Sequence, residues 1–141
     1  VTIIFNPTLC RGKQDDLPQL DQKKLKILSV DDSPEMQYLV KAFLESDWIQ
    51  VESANNGDEA INKALHNDYD LVLMDVQMPG KDGFQTTKEL RERNFQTPII
   101  ALTAHAMKKE REKCLAAGFD DFLTKPIDKN ELILKVQRMT H

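Results

Sequence analysis

Acidic side chains come directly after two of the apolar segments of the chain. Asp31 and Asp32 follow the run LKILSV, and Asp75 follows the run DLVLM. A lone carboxylate beside a hydrophobic core is costly unless a cation or hydrogen-bond donors compensate its charge. Carboxylates that lie close together repel one another and raise one another's pKa. A hard divalent cation such as Mg²⁺, which binds oxygen ligands, offsets this repulsion. These residues therefore predict a magnesium site.

A hydroxyl and an ammonium group follow two further apolar runs. Thr103 comes after PIIAL, and Lys125 comes after FDDFLT. A carboxylate nucleophile beside a cation, a lysine and a hydroxyl suits phosphoryl transfer to Asp75, because the metal and Lys125 neutralise the phosphoryl oxygens while the carboxylate attacks in line. The sequence contains no GxxxxGK[ST] nucleotide loop and no HExxH motif, so it favours neither a nucleotide hydrolase nor a zinc protease.

The elements that must hold these residues follow from the hydrophobic pattern. Short apolar runs at 25–30, 48–54, 70–74, 98–102 and 119–124 alternate with amphipathic segments, which predict helices at about 34–46, 57–67, 84–93, 105–116 and 129–139. Ser33-Pro34 is typical of a helix start, and Gly118 suits the left-handed residue that ends a helix. Strands that alternate with helices predict an α/β fold with a parallel sheet covered on both faces.

Sheets of this kind bind ligands at the carboxyl ends of their strands, where the strand order reverses. The acids, the threonine and the lysine all fall at such ends, so the alternation predicts that they share one site. The second strand ends in the neutral turn Asn55-Asn56-Gly57, as expected of an edge strand away from that site.

Four motifs, VDDSP, LVLMDVQMPGKDG, IIALTAHA and FLTKP, resemble those of the receiver domain of two-component response regulators and occur in the family's order. The resemblance runs from about Lys24 to the end of the chain. It implies a receiver domain over residues 25–141, with a flavodoxin-like, doubly wound sheet of five parallel strands in the order 2-1-3-4-5 and five helices.

The resemblance also implies a role for each site residue. Asp75 matches the phospho-acceptor, and Thr103 and Lys125 match the groups that hold the phosphoryl oxygens. The implied ligands of Mg²⁺ are Asp31, Asp32, Asp75 and the backbone carbonyl of Gln77. Of the two adjacent acids, the second is the implied direct ligand and the first acts through water.

Further positions match residues that, in the family, change conformation on phosphorylation or affect how long the phosphoryl group lasts. Thr103 and Phe122 correspond to the pair that changes conformation together, although Phe122 carries no hydroxyl and is equally interpretable as a packed aromatic. Gln77 and His105 flank the site, at positions that tune how long the phosphoryl group lasts. Neither side chain is an obvious acid or base for the attacking water, so no lifetime is predicted.

Composition restricts the partners and the location. The chain has 141 residues and a net charge of −4, which provides no general attraction for nucleic acid. No apolar run is long enough to span a membrane, and no signal-peptide pattern is present. Cys10 and Cys114 match no metal or redox spacing. We therefore expect a cytoplasmic domain without direct nucleic-acid binding and without a membrane segment here.

Residues 1–24 are polar and aperiodic after the run VTIIF, which indicates a linker or tail. VTIIFNP also resembles the closing strand of a kinase ATP-binding domain, and the phrases ALTAHA and GFDDFLTKP are typical of hybrid histidine kinase receivers. The favoured context is therefore the C-terminal receiver of a hybrid kinase, and the alternative is a stand-alone response regulator. The implied partner is a histidine kinase or a histidine phosphotransfer domain, together with a phosphorylation-dependent homodimer.

We expect no independent enzyme activity in this segment beyond self-catalysed phosphorylation and dephosphorylation of Asp75, although the parent chain of a hybrid would be a histidine kinase. A rival interpretation is a phosphatase with an aspartyl nucleophile, which needs an acid two residues later, where the chain has Gln77. Another is a degenerate receiver that only binds partners, which the complete set of acids and Lys125 disfavours.

Overall fold

The computed structural model describes residues 25–105 and 107–140, so the expectations for residues 1–24 lie outside the described residues. The strands are β1 (Leu25–Val30), β2 (Ile49–Ala54), β3 (Leu71–Asp75), β4 (Ile99–Thr103) and β5 (Asp121–Thr124). The helices are α1 (Pro34–Leu44), α2 (Gly57–His66), α3 (Gly83–Glu92), α4 (Lys108–Ala117) and α5 (Lys129–Thr140). Strands and helices alternate along the chain, as the hydrophobic pattern predicts.

All five strands pair in parallel in the order β2-β1-β3-β4-β5, which confirms the predicted fold. The strand order reverses between β1 and β3: the chain runs from β1 to β2 on one side of β1, and β3 then pairs with the other side of β1. The loops that leave the carboxyl ends of β1 and β3 therefore border one crevice, which is where open α/β sheets bind ligands.

The core covers both faces of the sheet because every crossover carries a helix. In β3, Val72 and Met74 belong to the cluster that contains residues of α2, α3 and α4, whereas Leu71 and Leu73 belong to the cluster that contains residues of α1 and α5. All residues of β3 and β4 are buried, as expected of central strands in a sheet packed on both faces. Rigid strands thus place the residues at their carboxyl ends.

Helix ends follow their capping residues closely, with one exception. The Ser33 hydroxyl accepts the Met36 N–H at 3.3 Å, and Gly118 ends α4 with φ 108°, as predicted. Helix α4 begins at Lys108 rather than near residue 105, and its N-cap, Met107, makes no side-chain hydrogen bond. The apolar pattern alone therefore placed this helix start too early. Among the described residues, none of the helices combines the length and the apolarity that crossing a membrane requires.

Candidate functional site

The ends of β1 and β3 bring three carboxylates together. Asp31 and Asp32 follow β1, and Asp75 is the last residue of β3, the neighbouring strand. One carboxylate oxygen from each of the three lies within 4.8 Å of the others. Asp31 and Asp75 are buried at 2% and 3% exposure, whereas Asp32 is exposed. The cluster is therefore open to solvent on one side and enclosed on the other.

Lys125 reaches this cluster from the end of β5. Its ammonium lies 3.1 Å from Oδ1 of Asp75 and 3.7 Å from Oδ2 of Asp31. Its backbone N–H donates to the Thr103 carbonyl at 2.7 Å, which fixes the residue beside β4. One ammonium thus contacts two of the three clustered carboxylates, so these side chains leave an excess of negative charge at the site.

The two described hydrogen bonds of the Asp75 carboxylate go to the same oxygen. Oδ1 accepts from the ammonium of Lys125 at 3.1 Å and from the backbone N–H of Gln77 at 3.1 Å. These donors fix the orientation of the carboxylate. Because both bind Oδ1, neither occupies a lone pair of Oδ2. A carboxylate held in this way can present one oxygen to a metal or to an electrophile.

One buried oxygen of Asp31 accepts no hydrogen bond from the described residues. Its Oδ1 accepts the Ser33 N–H at 2.9 Å, but Oδ2 is buried and has no hydrogen-bond partner among the described residues. Burial raises the pKa of Asp31, and the charge of Asp75 raises it further, although the Ser33 N–H opposes the shift. A carboxylate oxygen without a hydrogen bond, beside two further carboxylates, belongs to a donor set suited to a hard divalent cation, so the residues fit Mg²⁺.

Asp31→Asn is expected to stabilise the metal-free protein at pH 7 by about 1 kcal/mol, or roughly 4 °C in melting temperature. Because the pKa of Asp31 is raised in the folded state, its protonated form favours folding. This contribution to stability is complete below pH 3.8, the ordinary pKa, and is lost as the pH rises through the pKa of the folded protein. Ionised Asp31 therefore costs stability at neutral pH, and the asparagine removes this cost. Thermal melts in EDTA measure the effect.

The advantage of Asp31→Asn should shrink as the pH falls, because a growing fraction of wild-type Asp31 is protonated when its pKa is raised. The exposed residue Asp68 provides the matched control, since Asp68→Asn removes the same charge from the surface and should change the melting temperature little at any of these pH values. A destabilised Asp31→Asn variant at pH 7 would contradict the argument.

A glycine that the sequence analysis did not single out fixes the backbone behind Asp75. Gly83 begins α3, and its N–H donates to the Val76 carbonyl at 3.2 Å. A Cβ at this position would collide with the backbone carbonyl oxygen of Asp75 and lie 2.7 Å from Cα of Val76. The signal in the sequence is the second glycine of PGKDG. This position requires close backbone approach, which only glycine permits.

Gly83→Ala is expected to lower the free energy of unfolding by about 3 kcal/mol, because the atoms that meet the new Cβ are backbone atoms and cannot rotate away. Gly80→Ala is the matched control: Gly80 has φ 76° but no atom within 4 Å, so the alanine adds backbone strain without a collision, about 1 kcal/mol. Denaturant unfolding measures both values. Equal losses would show that strain, rather than contact with Asp75, explains the effect.

Thr103 lies beside the cluster, but its hydroxyl points elsewhere. The side chain is 1% exposed, and Oγ1 lies 3.1 Å from the backbone N–H of His105 and 3.1 Å from its carbonyl oxygen, so it accepts from one and donates to the other. In this conformation the hydroxyl stabilises its own loop. A contact with a group on Asp75 requires a rotation of this side chain.

Phe122 occupies β5 next to α4 and α5. Its half-buried ring has the Arg111 guanidinium 5.4 Å and the Lys135 ammonium 5.6 Å from its centroid. In the sheet register Phe122 faces Ala101, while Thr103 faces Thr124. The ring thus lies two residues before the partner of Thr103, with a cation on each neighbouring helix.

Gln77 and His105 have exposed side chains that line a common groove of about 620 Å³ beside the cluster. Val76 and Phe84 form part of its apolar wall, and Lys113 of α4 adds a charge. The structure therefore places both flanking residues where a molecule that approaches Asp75 from solvent would meet them.

Comparisons with known proteins agree with this geometry. The family model described as the response regulator receiver domain matches residues 27–137. Sensor protein GacS of Pseudomonas syringae pv. syringae is 44% identical over 128 residues, which cover 87% of this chain and 14% of that protein. Transcriptional regulatory protein ResD of Bacillus subtilis is 40% identical over 121 residues, which cover 85% of this chain and 50% of that protein. The chain thus spans half or less of these relatives.

Solved structures show the same likeness. The receiver domain of sensor histidine kinase PA1611 from Pseudomonas aeruginosa, crystallised with a magnesium ion in its active-site cleft, matches with 39% identity and a TM-score of 0.76, over 83% of this chain and 98% of that one. Chemotaxis protein CheY4 of Vibrio cholerae matches with 32% identity and a TM-score of 0.78, over 82% and 98%. This chain belongs to the response regulator receiver domain family, whose members act in signalling as phosphoryl acceptors.

Proposed function

We propose that this domain takes a phosphoryl group from a phosphohistidine onto Asp75 in a Mg²⁺-dependent reaction, and that it acts as a signalling switch or as an intermediate in a phosphorelay. The observation that carries the proposal is the position of the Asp75 carboxylate, which lies 3.1 Å from the Lys125 ammonium and within 4.8 Å of the acids after β1. Two further acids and a lysine around one oriented carboxylate are the groups that phosphoryl transfer to that carboxylate needs.

The residues that would hold Mg²⁺ are Asp31, Asp32, Asp75 and the backbone carbonyl of Gln77. When bound, the metal supplies positive charge that offsets both the acids and the phosphoryl oxygens. Lys125, already at hydrogen-bond distance from Asp75, would hold a second phosphoryl oxygen. The exposed side of the cluster, at Asp32, would admit the donor.

In the transfer step, an oxygen of Asp75 would attack the phosphorus in line. An O–P bond forms, the P–N bond of the phosphohistidine breaks, and its electron pair returns to the imidazole of the donor. The buried backbone of β3 holds the nucleophile still during this step, since every residue of the strand is buried. Correct positioning and charge compensation are the contributions the protein makes to such a reaction.

The response to phosphorylation would begin at Thr103. Its hydroxyl would leave the backbone of His105 and donate to a phosphoryl oxygen, because the new group brings strong acceptors and negative charge. This rotation would shift an equilibrium between two conformations, which differ in the loop before α4 and in the packing of Phe122. Gln77 and His105 would affect the lifetime of the phosphoryl group through the groove that they line.

The partner that we propose is a histidine kinase or a histidine phosphotransfer domain, and the location is the cytoplasm. Likeness to GacS supports a receiver within a hybrid histidine kinase, whereas likeness to ResD supports a response regulator. We favour the hybrid because the phrases ALTAHA and GFDDFLTKP are typical of such kinases. A homodimer formed on phosphorylation is a further proposal. The coding sequence on either side of this segment distinguishes the contexts.

The proposed function is tested by incubation with a small acyl phosphate and Mg²⁺. Intact-mass spectrometry should show the addition of one phosphoryl group, which EDTA prevents and hydroxylamine removes, because an acyl phosphate is labile to that nucleophile. Labelling that is unchanged by EDTA, or stable to hydroxylamine, would contradict a metal-dependent aspartyl phosphate.

A further inference from the structure

A buried side-chain amide lies beneath the loop after β1, which carries Asp31 and Asp32. Gln37, in the second turn of α1, is 8% exposed, and its Nε2 lies 3.1 Å from the Ser29 carbonyl, 3.0 Å from the Asp31 carbonyl and 2.9 Å from the Ala54 carbonyl. These acceptors belong to β1, to the residue after β1 and to the end of β2. One side chain thus joins the carboxyl ends of two strands to the helix that follows.

These contacts fix the backbone on both sides of Asp31. The Asp31 N–H donates to the Ala54 carbonyl at 3.1 Å, and the Asp31 carbonyl accepts from Gln37 at 3.0 Å. The peptide unit between Asp31 and Asp32 is therefore held from below by Gln37. Because the direction of each Cβ follows from the backbone, this hydrogen bond sets where both carboxylates point.

Packing alone does not account for a glutamine here. The buried residues of α1 are Gln37, Val40 and Leu44, so Gln37 occupies the apolar stripe of the helix. Its Oε1 is buried and has no hydrogen-bond partner among the described residues, which is a cost that an apolar side chain would avoid. The contacts that offset this cost are those to the loop that carries the acids.

We infer that Gln37 is a positioning residue of the metal site, which holds the peptide between Asp31 and Asp32 so that both carboxylates face the cation. The inference rests on the proposed function. Groups that orient metal ligands from behind affect metal affinity strongly, typically by about 10- to 100-fold. Gln37 acts through the backbone of the ligands and touches neither the metal nor the phosphoryl group.

Gln37→Met tests this role, because methionine keeps the length and the helix propensity but has no N–H donor. The Mg²⁺ dissociation constant, measured by titration of backbone amide NMR signals, should rise about tenfold. Phosphorylation by a small acyl phosphate should be slow at low Mg²⁺ and return to within about twofold of wild type at saturating Mg²⁺. A purely structural defect would not be restored by metal in this way.

Leu44→Ala is the matched control, since Leu44 lies on the same face at the other end of α1. This variant should lower the melting temperature and leave the Mg²⁺ dissociation constant unchanged. Gln37→Asn provides a second test if the methionine variant does not fold, because the shorter side chain withdraws the amide from the carbonyls and should weaken Mg²⁺ binding similarly.

An unchanged Mg²⁺ dissociation constant in a folded Gln37 variant would overturn the inference, as would a rate defect that persists at saturating Mg²⁺. Failure of the wild-type protein to bind Mg²⁺ is a different result: it would overturn the proposed function and the inference with it. Weaker binding in the Gln37 variants together with normal binding in Leu44→Ala supports the positioning role.

Discussion

Asp75→Asn should abolish phosphoryl incorporation, with a loss of at least about a thousandfold. An amide oxygen is a poor nucleophile and a weak metal ligand, so the substitution removes both the proposed attacking group and one proposed ligand of the cation. The shape of the side chain is kept, and its oxygen can still accept from the Gln77 N–H. Intact-mass spectrometry after incubation with an acyl phosphate and Mg²⁺ measures the loss.

Stability measurements separate this loss from unfolding. Asp75→Asn removes one of three clustered negative charges, so the metal-free protein should be at least as stable as wild type. Beryllofluoride with Mg²⁺, a mimic of the phosphoryl group, should bind the wild-type protein and not the variant. The control Asp68→Asn should accept the phosphoryl group at the normal rate. Equal labelling of Asp75→Asn by a phosphohistidine partner would show that the acceptor lies elsewhere.

The fold could be predicted from the sequence because the signals for its strands and helices are patterns of neighbouring residues. The alternation of apolar runs with amphipathic segments specifies parallel strands and crossover helices, and the carboxyl ends of such strands share one edge. Asp31, Asp75 and Lys125 are far apart in the chain, yet each ends a strand or directly follows one. The sheet order then brings them together, with Lys125 3.1 Å from Asp75.

Other features depend on tertiary contacts that no local pattern encodes. The start of α4 was predicted three residues too early, because the residue before the helix, Met107, has no capping side chain that would mark the boundary in the sequence. The Thr103 hydroxyl lies against the backbone of His105, a rotamer that depends on the loop conformation. Gln37 was not predicted as a site residue, because its contacts with the carbonyls of Ser29, Asp31 and Ala54 follow only from the tertiary structure.

Asp32→Ala is expected to weaken Mg²⁺ binding at least about a hundredfold, close to 3 kcal/mol of binding free energy. Asp32 is the direct carboxylate ligand that we propose for the cation, and its exposed side chain contributes little to the core, so the fold should be kept. Backbone amide NMR signals titrated with Mg²⁺ give the dissociation constant, and the same spectra report whether the variant is folded.

The matched control is Glu35→Ala, which removes an exposed acid from the first turn of α1, three residues after Asp32. At physiological salt, screening between exposed charges is strong, so this control should change the dissociation constant by less than about twofold. The comparison separates ligation from a general attraction of cations to an acidic surface. Similar weakening in both variants would favour diffuse attraction, whereas a large effect confined to Asp32 requires a carboxylate that binds the cation directly.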